Sequence, residues 1–417
     1  MIRKKIYLIY KFFFTSLSIA GCYFNIPFLS ALSWKFLLYK NKNIKNSKNK
    51  NKITIILDRT IGRDDIIESY RNFRPKRKIY FISRENFKLI FDHFFYKDYK
   101  LHKNIDNFEI KLNKYNLYLK KLLNSLKYLL PEFNFVTFNY NYSAEAFFFQ
   151  ECKKQNIDTY LFYKECFRSP AELEVNPFPM YSKFLKNFSK ILVYNQMTKF
   201  YLEKLTKDKI KILVNGLPRF NFFLNQSNKI KKKKITTLTF FLIENKKGIP
   251  NKKKFKSYNW NEINLKILNY LTKLSNLNRK IKIIVKAKNG KLIPNILKQK
   301  KNKIIFSNSG SGANILKNSD LIISLNSAAT LESIASKKHI LIPFFGKKTY
   351  EKKIIYNYDK TLIYKNEKKF FKQIQNMVDK KNIKFPASIN NYDKMMKDYF
   401  GNYKQAGKIM RLTIDKS

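Results

Sequence analysis

The sequence predicts an α/β protein with two Rossmann-like domains that face a central cleft. Short apolar runs typical of buried parallel strands alternate with longer helical patterns along the chain. This alternation occurs twice, once on each side of a basic stretch at 228–234. The length of 417 residues also exceeds the usual size of one domain.

An apolar segment opens the chain. Residues 12–34 carry no charge and follow four basic residues. Such a segment could span a bilayer, lie at its surface, or form a helix pair packed on the protein itself. Residues 19–22, Ile-Ala-Gly-Cys, also match the cleavage box of a bacterial lipoprotein. We expect residues 1–50 to comprise a membrane-associating segment and a basic linker.

Strand-like and helical patterns alternate through residues 51–227, which we interpret as the first Rossmann-like domain. The predicted strands are 53–58, 79–83, 133–138, 159–162, 190–194 and 210–214. The predicted helices are 64–72, 85–95, 112–130, 144–155 and 197–205.

A second alternation occupies residues 228–390, the second predicted domain. Its predicted strands are 235–243, 281–286, 303–306, 321–323 and 340–343. Its predicted helices are 260–274, 292–298, one that opens near Ser327, and 367–378. Residues 391–417 are expected to form C-terminal helices that cross back to the first domain.

The formal net charge of +56 has two interpretations. The chain is rich in Lys, Asn, Ile, Phe and Tyr, the amino acids of A/T-rich codons, so the positive charge can result from an A/T-rich genome. It can also be a selected attraction for an anionic membrane or substrate. The sequence carries no zinc spacing, RNA-recognition signature or helix-turn-helix pattern, so no specific nucleic acid is expected. Its three Cys and three His residues form no cluster at ligand spacing, so no metal is expected.

The most informative stretch is 319–335. An apolar strand at 321–323 is followed by small polar residues and then by a helix. Amides and hydroxyls at such a helix start, from Asn326, Ser327 and Thr330, can hold phosphate oxygens, and Glu332 can accept hydrogen bonds from a ribose diol. The alternative is structural, with Ser327 as an N-cap and Glu332 compensating the helix dipole. The pattern indicates a nucleotide site.

Two loops of the first domain contain candidate catalytic acids. Glu165 follows the strand at 159–162 and could take a proton from an acceptor hydroxyl, or pair at the surface with Lys164 or Arg168. Asp58 and Asp64 lie in the first strand–helix loop, where Gly62 permits a close backbone approach.

At least one of Asp64 and Asp65 is expected to be a helix cap, which leaves the other, or Asp58, as the second candidate base. No G-x-G-x-x-G motif follows this strand, so NAD binding is disfavoured.

Basic residues near the predicted cleft could neutralise phosphates. Gly216 permits an unusual backbone angle after the strand at 210–214, and Arg219 follows it. Arg219 could clamp a diphosphate, or pair structurally in a rigid turn. Lys286 ends the strand at 281–286 and Lys288 follows it, and both could act across the cleft.

Residues 163–170, 191–220 and 319–345 together resemble GT-B glycosyltransferases. They are similar in particular to bacterial surface-carbohydrate proteins, of capsule or lipopolysaccharide biosynthesis, related to CDP-glycerol glycerophosphotransferases. In this resemblance Glu332 matches the ribose-binding Glu, and Ser327 and Thr330 match the phosphate-side hydroxyls. Where relatives often carry Lys-x-His-Pro, this chain has Lys-Ala-Lys-Asn at 286–289, which points to a divergent donor.

The resemblance implies a glycosyltransferase with no tightly bound cofactor or metal. Its C-terminal domain would bind a nucleotide-activated donor, and its N-terminal domain a lipid- or glycan-linked acceptor. The apolar N-terminal segment, in turn, would hold the enzyme near a lipid-linked acceptor at the cytoplasmic face of the inner membrane. The alternatives are a nucleotide-sugar epimerase or a CDP-polyol phosphotransferase of the same fold. A more distant alternative is a non-enzymatic basic protein that binds nucleic acid.

Overall fold

The computed structural model divides the chain into two compact units. Unit 1 comprises Met1–Cys166, Phe178–Arg219 and Lys397–Ser417, and unit 2 comprises Phe167–Pro177 and Phe220–Met396. The residues that the structure describes are 2–49, 51–95, 108–140, 142–163, 179–206, 210–220, 234–242, 260–278, 280–287, 304–307, 312–324, 328–345, 362–380 and 392–416.

Unit 1 contains a six-stranded, wholly parallel sheet in the order β2-β1-β3-β4-β5-β6. Its strands are β1 (Lys52–Asp58), β2 (Lys78–Ser83), β3 (Glu132–Thr137), β4 (Thr159–Tyr163), β5 (Lys190–Val193) and β6 (Ile212–Val214). The interleaved helices are α3 (Thr60–Tyr70), α4 (Arg84–Phe95), α5 (Phe108–Leu129), α6 (Ser143–Lys154) and α7 (Gln196–Thr206), with a 3-10 helix at Pro179–Asn187. The parallel strands read as continuous apolar runs because both faces of the sheet are covered.

The N-terminal segment forms two helices, α1 (Ile2–Tyr23) and α2 (Pro27–Leu37). Asn25 adopts a left-handed φ of 55°, and Pro27 begins α2 at a position where its missing N–H costs no hydrogen bond. The segment therefore forms the helix pair that the sequence left open as one of three alternatives. The hairpin packs on unit 1: the Ser30 hydroxyl hydrogen-bonds that of Tyr118 at 2.6 Å, and Trp34 is buried against Phe87 and Phe148.

Unit 2 contains a second six-stranded parallel sheet, in the order β12-β11-β10-β7-β8-β9. Its strands are β7 (Thr237–Phe241), β8 (Lys282–Lys286), β9 (Ile305–Ser307), β10 (Leu321–Ile323), β11 (His339–Pro343) and β12 (Ile363–Tyr364). Its helices are α8 (Trp260–Leu277), α9 (Gly312–Lys317), α10 (Ala328–Ala335) and α11 (Glu367–Asp379). The short elements α9 and β12, and the 3-10 helix of unit 1, were not predicted. The helix predicted at 292–298 lies outside the described residues.

Two helices end the chain, α12 (Tyr392–Phe400) and α13 (Ala406–Asp415), and the division between the units falls within α12. Helix α13 packs against α3 of unit 1. There the Asp415 carboxylate accepts hydrogen bonds from the Tyr70 hydroxyl and the Lys76 backbone N–H. Met410 and Ile414 join the buried core on that side of the sheet.

Candidate functional site

Asp58 is the last residue of β1, so its carboxylate lies at the carboxyl edge of the unit 1 sheet. Its Oδ2 atom accepts hydrogen bonds from the Tyr39 hydroxyl and, at 3.0 Å, from Nη1 of Arg63. Burial and the bond to Asp58 raise the pKa of Tyr39, so this phenol stays protonated and donates. The Oδ1 atom of Asp58 is buried without a hydrogen-bond partner among the described residues. That oxygen can accept a proton or a substrate hydroxyl.

The two acids that follow do not cap α3. The helix begins at Thr60, with Arg59 as N-cap and no side-chain cap bond, so Asp64 and Asp65 lie beyond the first turn. The capping interpretation is therefore wrong for both. Asp65 is fully buried and accepts hydrogen bonds from the Tyr194 hydroxyl at 2.5 Å and from Arg219. Burial raises the pKa of Asp65, and the Arg219 guanidinium and Tyr194 hydroxyl oppose that rise.

Asp64 has the environment of a proton acceptor. It is half-buried, and its carboxylate makes no hydrogen bond within the part of the chain that the structure describes. Burial, and next the negative charge of Asp65, raise the pKa of Asp64, whereas Arg63 and Arg219 oppose the rise. A raised carboxyl pKa makes a better general base near neutral pH, because the basicity lies closer to the working pH.

Arg219 belongs to unit 1, and its side chain is 11% exposed. Its Nη1 atom lies 2.8 Å from Oδ2 of Asp65, and its backbone N–H donates to Oδ1 of the same carboxylate at 3.1 Å. This is the structural pairing that the sequence left open as an alternative. The predicted role in donor binding stays a prediction.

The two glycines singled out in unit 1 both permit close packing. Gly216 has the predicted unusual backbone angle, with φ of +82°, and a Cβ there would lie 2.7 Å from the carbonyl carbon of Asn402. A Cβ on Gly62 would lie 2.3 Å from the Phe138 ring. The close approach predicted at Gly62 is therefore made by an aromatic side chain of the same unit.

Sequence reasoning missed a cluster of four side chains at the carboxyl edge of this sheet, which we call the arginine cluster: Arg59, Arg84, Tyr142 and Glu145. These residues follow β1, β2 and β3, which are neighbouring strands. Oε1 of Glu145 accepts hydrogen bonds from Nη2 of Arg59, at 2.8 Å, and from Nε of Arg84. Both guanidinium carbons lie over the Tyr142 ring, at 4.3 and 3.8 Å from its centroid.

In unit 2, β10 and α10 form the strand–helix pair predicted to bind a nucleotide. Thr330 is fully buried, and its hydroxyl donates to that of Ser324, just after β10, at 3.0 Å. Glu332 lies on α10 and is half-buried. The Thr330 bond ties the helix to the strand end, while the ligand roles of Thr330 and Glu332 stay predictions.

Lys286 lies at the carboxyl edge of the same sheet. It ends β8, which is two strands away from β10, a separation of about 10 Å at the usual strand spacing. It is half-buried, and burial lowers the pKa of its ammonium group. Lys286 therefore places a positive charge on the same edge of the sheet as the end of β10. The other predicted site residues, Lys164, Glu165, Arg168, Lys288, Asn326 and Ser327, lie outside the described residues.

The sequence matches no protein-family model and no curated protein. Among solved structures, the wall teichoic acid polymerase TagF, in a crystal soaked with CDPG, has 13% identity and a TM-score of 0.50, over 98% of this chain and 97% of that one. UDP-GlcNAc 2-epimerase from Methanocaldococcus jannaschii has 16% identity and a TM-score of 0.48, over 87% and 99%. The Neisseria meningitidis epimerase bound to UDP-GlcNAc has 13% identity and a TM-score of 0.48, over 88% and 100%.

The two parallel six-stranded sheets with their helices, together with the likeness to TagF along almost the whole chain, define a protein of the GT-B fold with two Rossmann-like units. The expected α/β class with two Rossmann-like domains is thereby confirmed, as is an apolar helix at the N-terminus. TagF, the structure that covers almost the whole chain, is a polymerase.

Proposed function

We propose that this protein is a glycosyltransferase that moves a sugar from a nucleotide-activated donor to a lipid- or glycan-linked acceptor in surface polysaccharide biosynthesis. Unit 2 would bind the donor, and unit 1 the acceptor. In open parallel sheets, ligands bind outside the carboxyl ends of the strands, and both units have such an edge.

One observation carries the proposal: in unit 2 a buried three-residue strand is followed by a helix with an acid in its second turn. The β10 strand pairs with β7 and β11 on its two sides, so it lies inside the sheet. A phosphate at the start of α10 would meet the positive end of the helix dipole, and Glu332 would accept from the ribose hydroxyls.

The chemistry needs one base and a stabilised leaving group. A carboxylate removes the proton of an acceptor hydroxyl, that oxygen attacks the anomeric carbon of the donor, and the nucleoside diphosphate leaves with the electron pair of the broken bond. Asp64 is the favoured base, for its raised pKa, with Asp58 and Glu165 as the other candidates. Lys286 and Lys288 would stabilise the departing diphosphate. That no tightly bound metal is needed stays a prediction.

We further propose that the α1–α2 hairpin holds the enzyme on the cytoplasmic face of the inner membrane. Its stretch Ile6–Tyr23 has a mean hydropathy of 1.3, is long and apolar enough to cross a membrane, and is only 17% buried. The other side of the hairpin packs on α4 and α5 of unit 1. A hairpin that is packed on one side and apolar on the other suits a membrane surface, where a lipid-linked acceptor would be found.

Calorimetry with a panel of nucleotides, UDP, CDP, GDP and CMP, tests the donor site. We expect one of them to bind the wild type and to lose about tenfold or more in affinity with Glu332→Ala, because a charged hydrogen bond to the ribose is lost. The matched control is Glu367→Ala, which removes a surface acid of unit 2 paired with Lys266 at 2.9 Å. No binding in the whole panel, or equal losses in both variants, would contradict the proposal.

The reaction product then separates the alternatives. A glycosyltransferase transfers the sugar and releases a nucleoside diphosphate, and a CDP-polyol phosphotransferase acting on CDP-glycerol releases CMP. An epimerase converts the free nucleotide sugar and needs no acceptor. A basic nucleic-acid-binding protein would instead bind RNA tightly, with a steep dependence on salt, and would be insensitive to Glu332→Ala.

A further inference from the structure

We propose that the arginine cluster of unit 1 binds a phosphate or diphosphate group, and that this group belongs to the acceptor. The anion site stands on the geometry of Arg59, Arg84, Tyr142 and Glu145. Its assignment to the acceptor rests on the proposed function, in which unit 1 receives the acceptor.

The cluster has one unbalanced positive charge. Two guanidinium groups share a single carboxylate, that of Glu145, which is fully buried. Of the three acids in residues 58–65, Asp58 and Asp65 have arginine partners of their own, and Asp64 forms no ion pair with Arg59 or Arg84 within the described residues. The residues also stand at the first turns of α3, α4 and α6, where backbone N–H groups and the helix dipoles add positive potential. An anion is the partner that balances this charge.

Both arginines have N–H groups that nothing in the described part of the chain accepts. Arg59 donates to Glu145 through Nη2 alone, and its buried Nε has no hydrogen-bond partner among the described residues. Arg84 donates to Glu145 through Nε, which leaves its two terminal nitrogens without a hydrogen bond to a described residue. Those terminal N–H groups form the fork that pairs bidentately with phosphate.

A structural arginine of the same sheet shows the contrast. Arg77 directly precedes β2, so it lies at the amino ends of the strands, and it is 2% exposed. Its Nε and Nη2 atoms donate to the carbonyl of Ile53, and its Nη1 atom donates to the Glu132 carboxylate at 2.9 Å. Every nitrogen of the Arg77 guanidinium therefore has an acceptor. Among the described residues, the guanidiniums of Arg59 and Arg84 each donate a hydrogen bond through one nitrogen, as expected for groups held ready for a ligand.

Glu145 and Tyr142 are positioning residues in this site. Glu145 holds both guanidiniums through a single oxygen, and its Oε2 atom has no partner among the described residues. The Tyr142 ring supports both guanidinium planes and is itself 37% exposed, so the cluster is open to solvent on that side. Two fixed guanidiniums beside an accessible face can receive a phosphate without reorganising.

Calorimetry with inorganic pyrophosphate, on the full chain, tests the site through Arg84→Gln and its matched control Arg77→Gln. Both substitutions remove one arginine that is paired with a glutamate; the Arg84 side chain is 26% exposed and that of Arg77 is 2% exposed. We expect Arg84→Gln to weaken pyrophosphate binding about tenfold or more, because a charge-assisted bidentate contact is lost, and Arg77→Gln to leave it unchanged. No pyrophosphate binding to the wild type, or the same affinity in Arg84→Gln, overturns the inference.

Arginine labelling by phenylglyoxal, read residue by residue in the wild type, needs no variant and identifies the source of the anion. We expect geranyl diphosphate, a soluble lipid diphosphate, to protect Arg84 while leaving the exposed Arg71 labelled. Protection of Arg84 by UDP at least as strong as that by geranyl diphosphate overturns the assignment to the acceptor. If geranyl diphosphate protects Arg84 but the protein transfers no sugar, the anion site is supported and the proposed function is contradicted.

Discussion

The carboxylate of Asp65 and the guanidinium of Arg219 form a buried ion pair of 2.8 Å, although 154 positions separate the two residues. The Tyr194 hydroxyl donates to the same carboxylate, so three segments of unit 1 meet at one acid: α3, the end of β5 and the turn after β6. This pair fixes the turn that carries Gly216. With the Arg219 backbone N–H as its third donor, this buried carboxylate links the three segments, so its loss should destabilise the whole unit.

The first prediction concerns this pair. Arg219→Met should lower the free energy of unfolding by about 3–5 kcal/mol, because it leaves an uncompensated buried charge. The double variant Asp65→Leu with Arg219→Met should recover much of that loss, since neither charge then remains. Denaturation in urea measures both. The control is Arg71→Met, because the Arg71 side chain is 53% exposed, although its partner Glu68 is 11% exposed, and this variant should cost less, about 1 kcal/mol.

A small loss in Arg219→Met, similar to that of Arg71→Met, would contradict a structural role for the pair. The double variant also tests the predicted donor role of Arg219 with less interference from instability. If that variant binds the donor nucleotide with wild-type affinity, Arg219 does not contact the donor.

Strands β1 to β5 could be predicted from the sequence because each is a mostly buried and largely apolar segment. The predicted starts and ends of β1 to β5 lie within one residue of the structure. The start of α3 was placed four residues late, because two consecutive acids, Asp64 and Asp65, look like a helix start. Long-range partners such as Arg219 override that local signal.

The arginine cluster could not be found from sequence alone, because its residues come from three separate loops. Arg84 and Glu145 each lie in the first turn of a helix, where charged residues are common, so neither gives a local sequence signal of a binding site. What brings them together is the strand order, which puts β1 between β2 and β3. That order follows from the tertiary pairing of strands and has no local sequence signal. With the order known, charged residues after adjacent strands are the signal to look for.

The second prediction concerns Asp64. The pKa of Asp64 in the folded protein is raised above the ordinary value of 3.8, chiefly by burial. The protonated carboxyl group therefore contributes fully to the free energy of unfolding below pH 3.8, and this contribution is lost as the pH rises through the folded pKa. Asp64→Asn should therefore raise the melting temperature at pH 7.5, and this gain should shrink as the pH falls toward 3.8.

The same substitution should lower the rate of sugar transfer about 100-fold or more, because an amide cannot act as the base. Melting curves from pH 4.5 to 8, together with initial rates, provide both measurements. A variant that is more stable and fully active would exclude Asp64 as the base and leave Asp58 and Glu165.

The third prediction concerns the α1–α2 hairpin and lipid. Phe12 and Phe13 lie on α1 and are 74% and 60% exposed, and Lys11 beside them is exposed as well. Phe12→Ser with Phe13→Ser should weaken binding to vesicles containing phosphatidylglycerol by about 10- to 100-fold, because each phenyl group would lose its transfer from water into lipid. Sedimentation with vesicles measures the bound fraction, and Phe200→Ser on α7, which removes a phenyl group that is 63% exposed, is the matched control.

The dependence on lipid charge and salt separates docking at the surface from a full span. A surface-docked hairpin on a chain of net charge +56 should prefer anionic vesicles to neutral ones and should be released as the salt concentration rises, because the attraction of its basic residues is screened. A hairpin that crosses the bilayer would resist both high salt and alkaline carbonate. Equal binding by the double variant, the control and the wild type would show that the hairpin does not bind the lipid, and the membrane proposal would then fail.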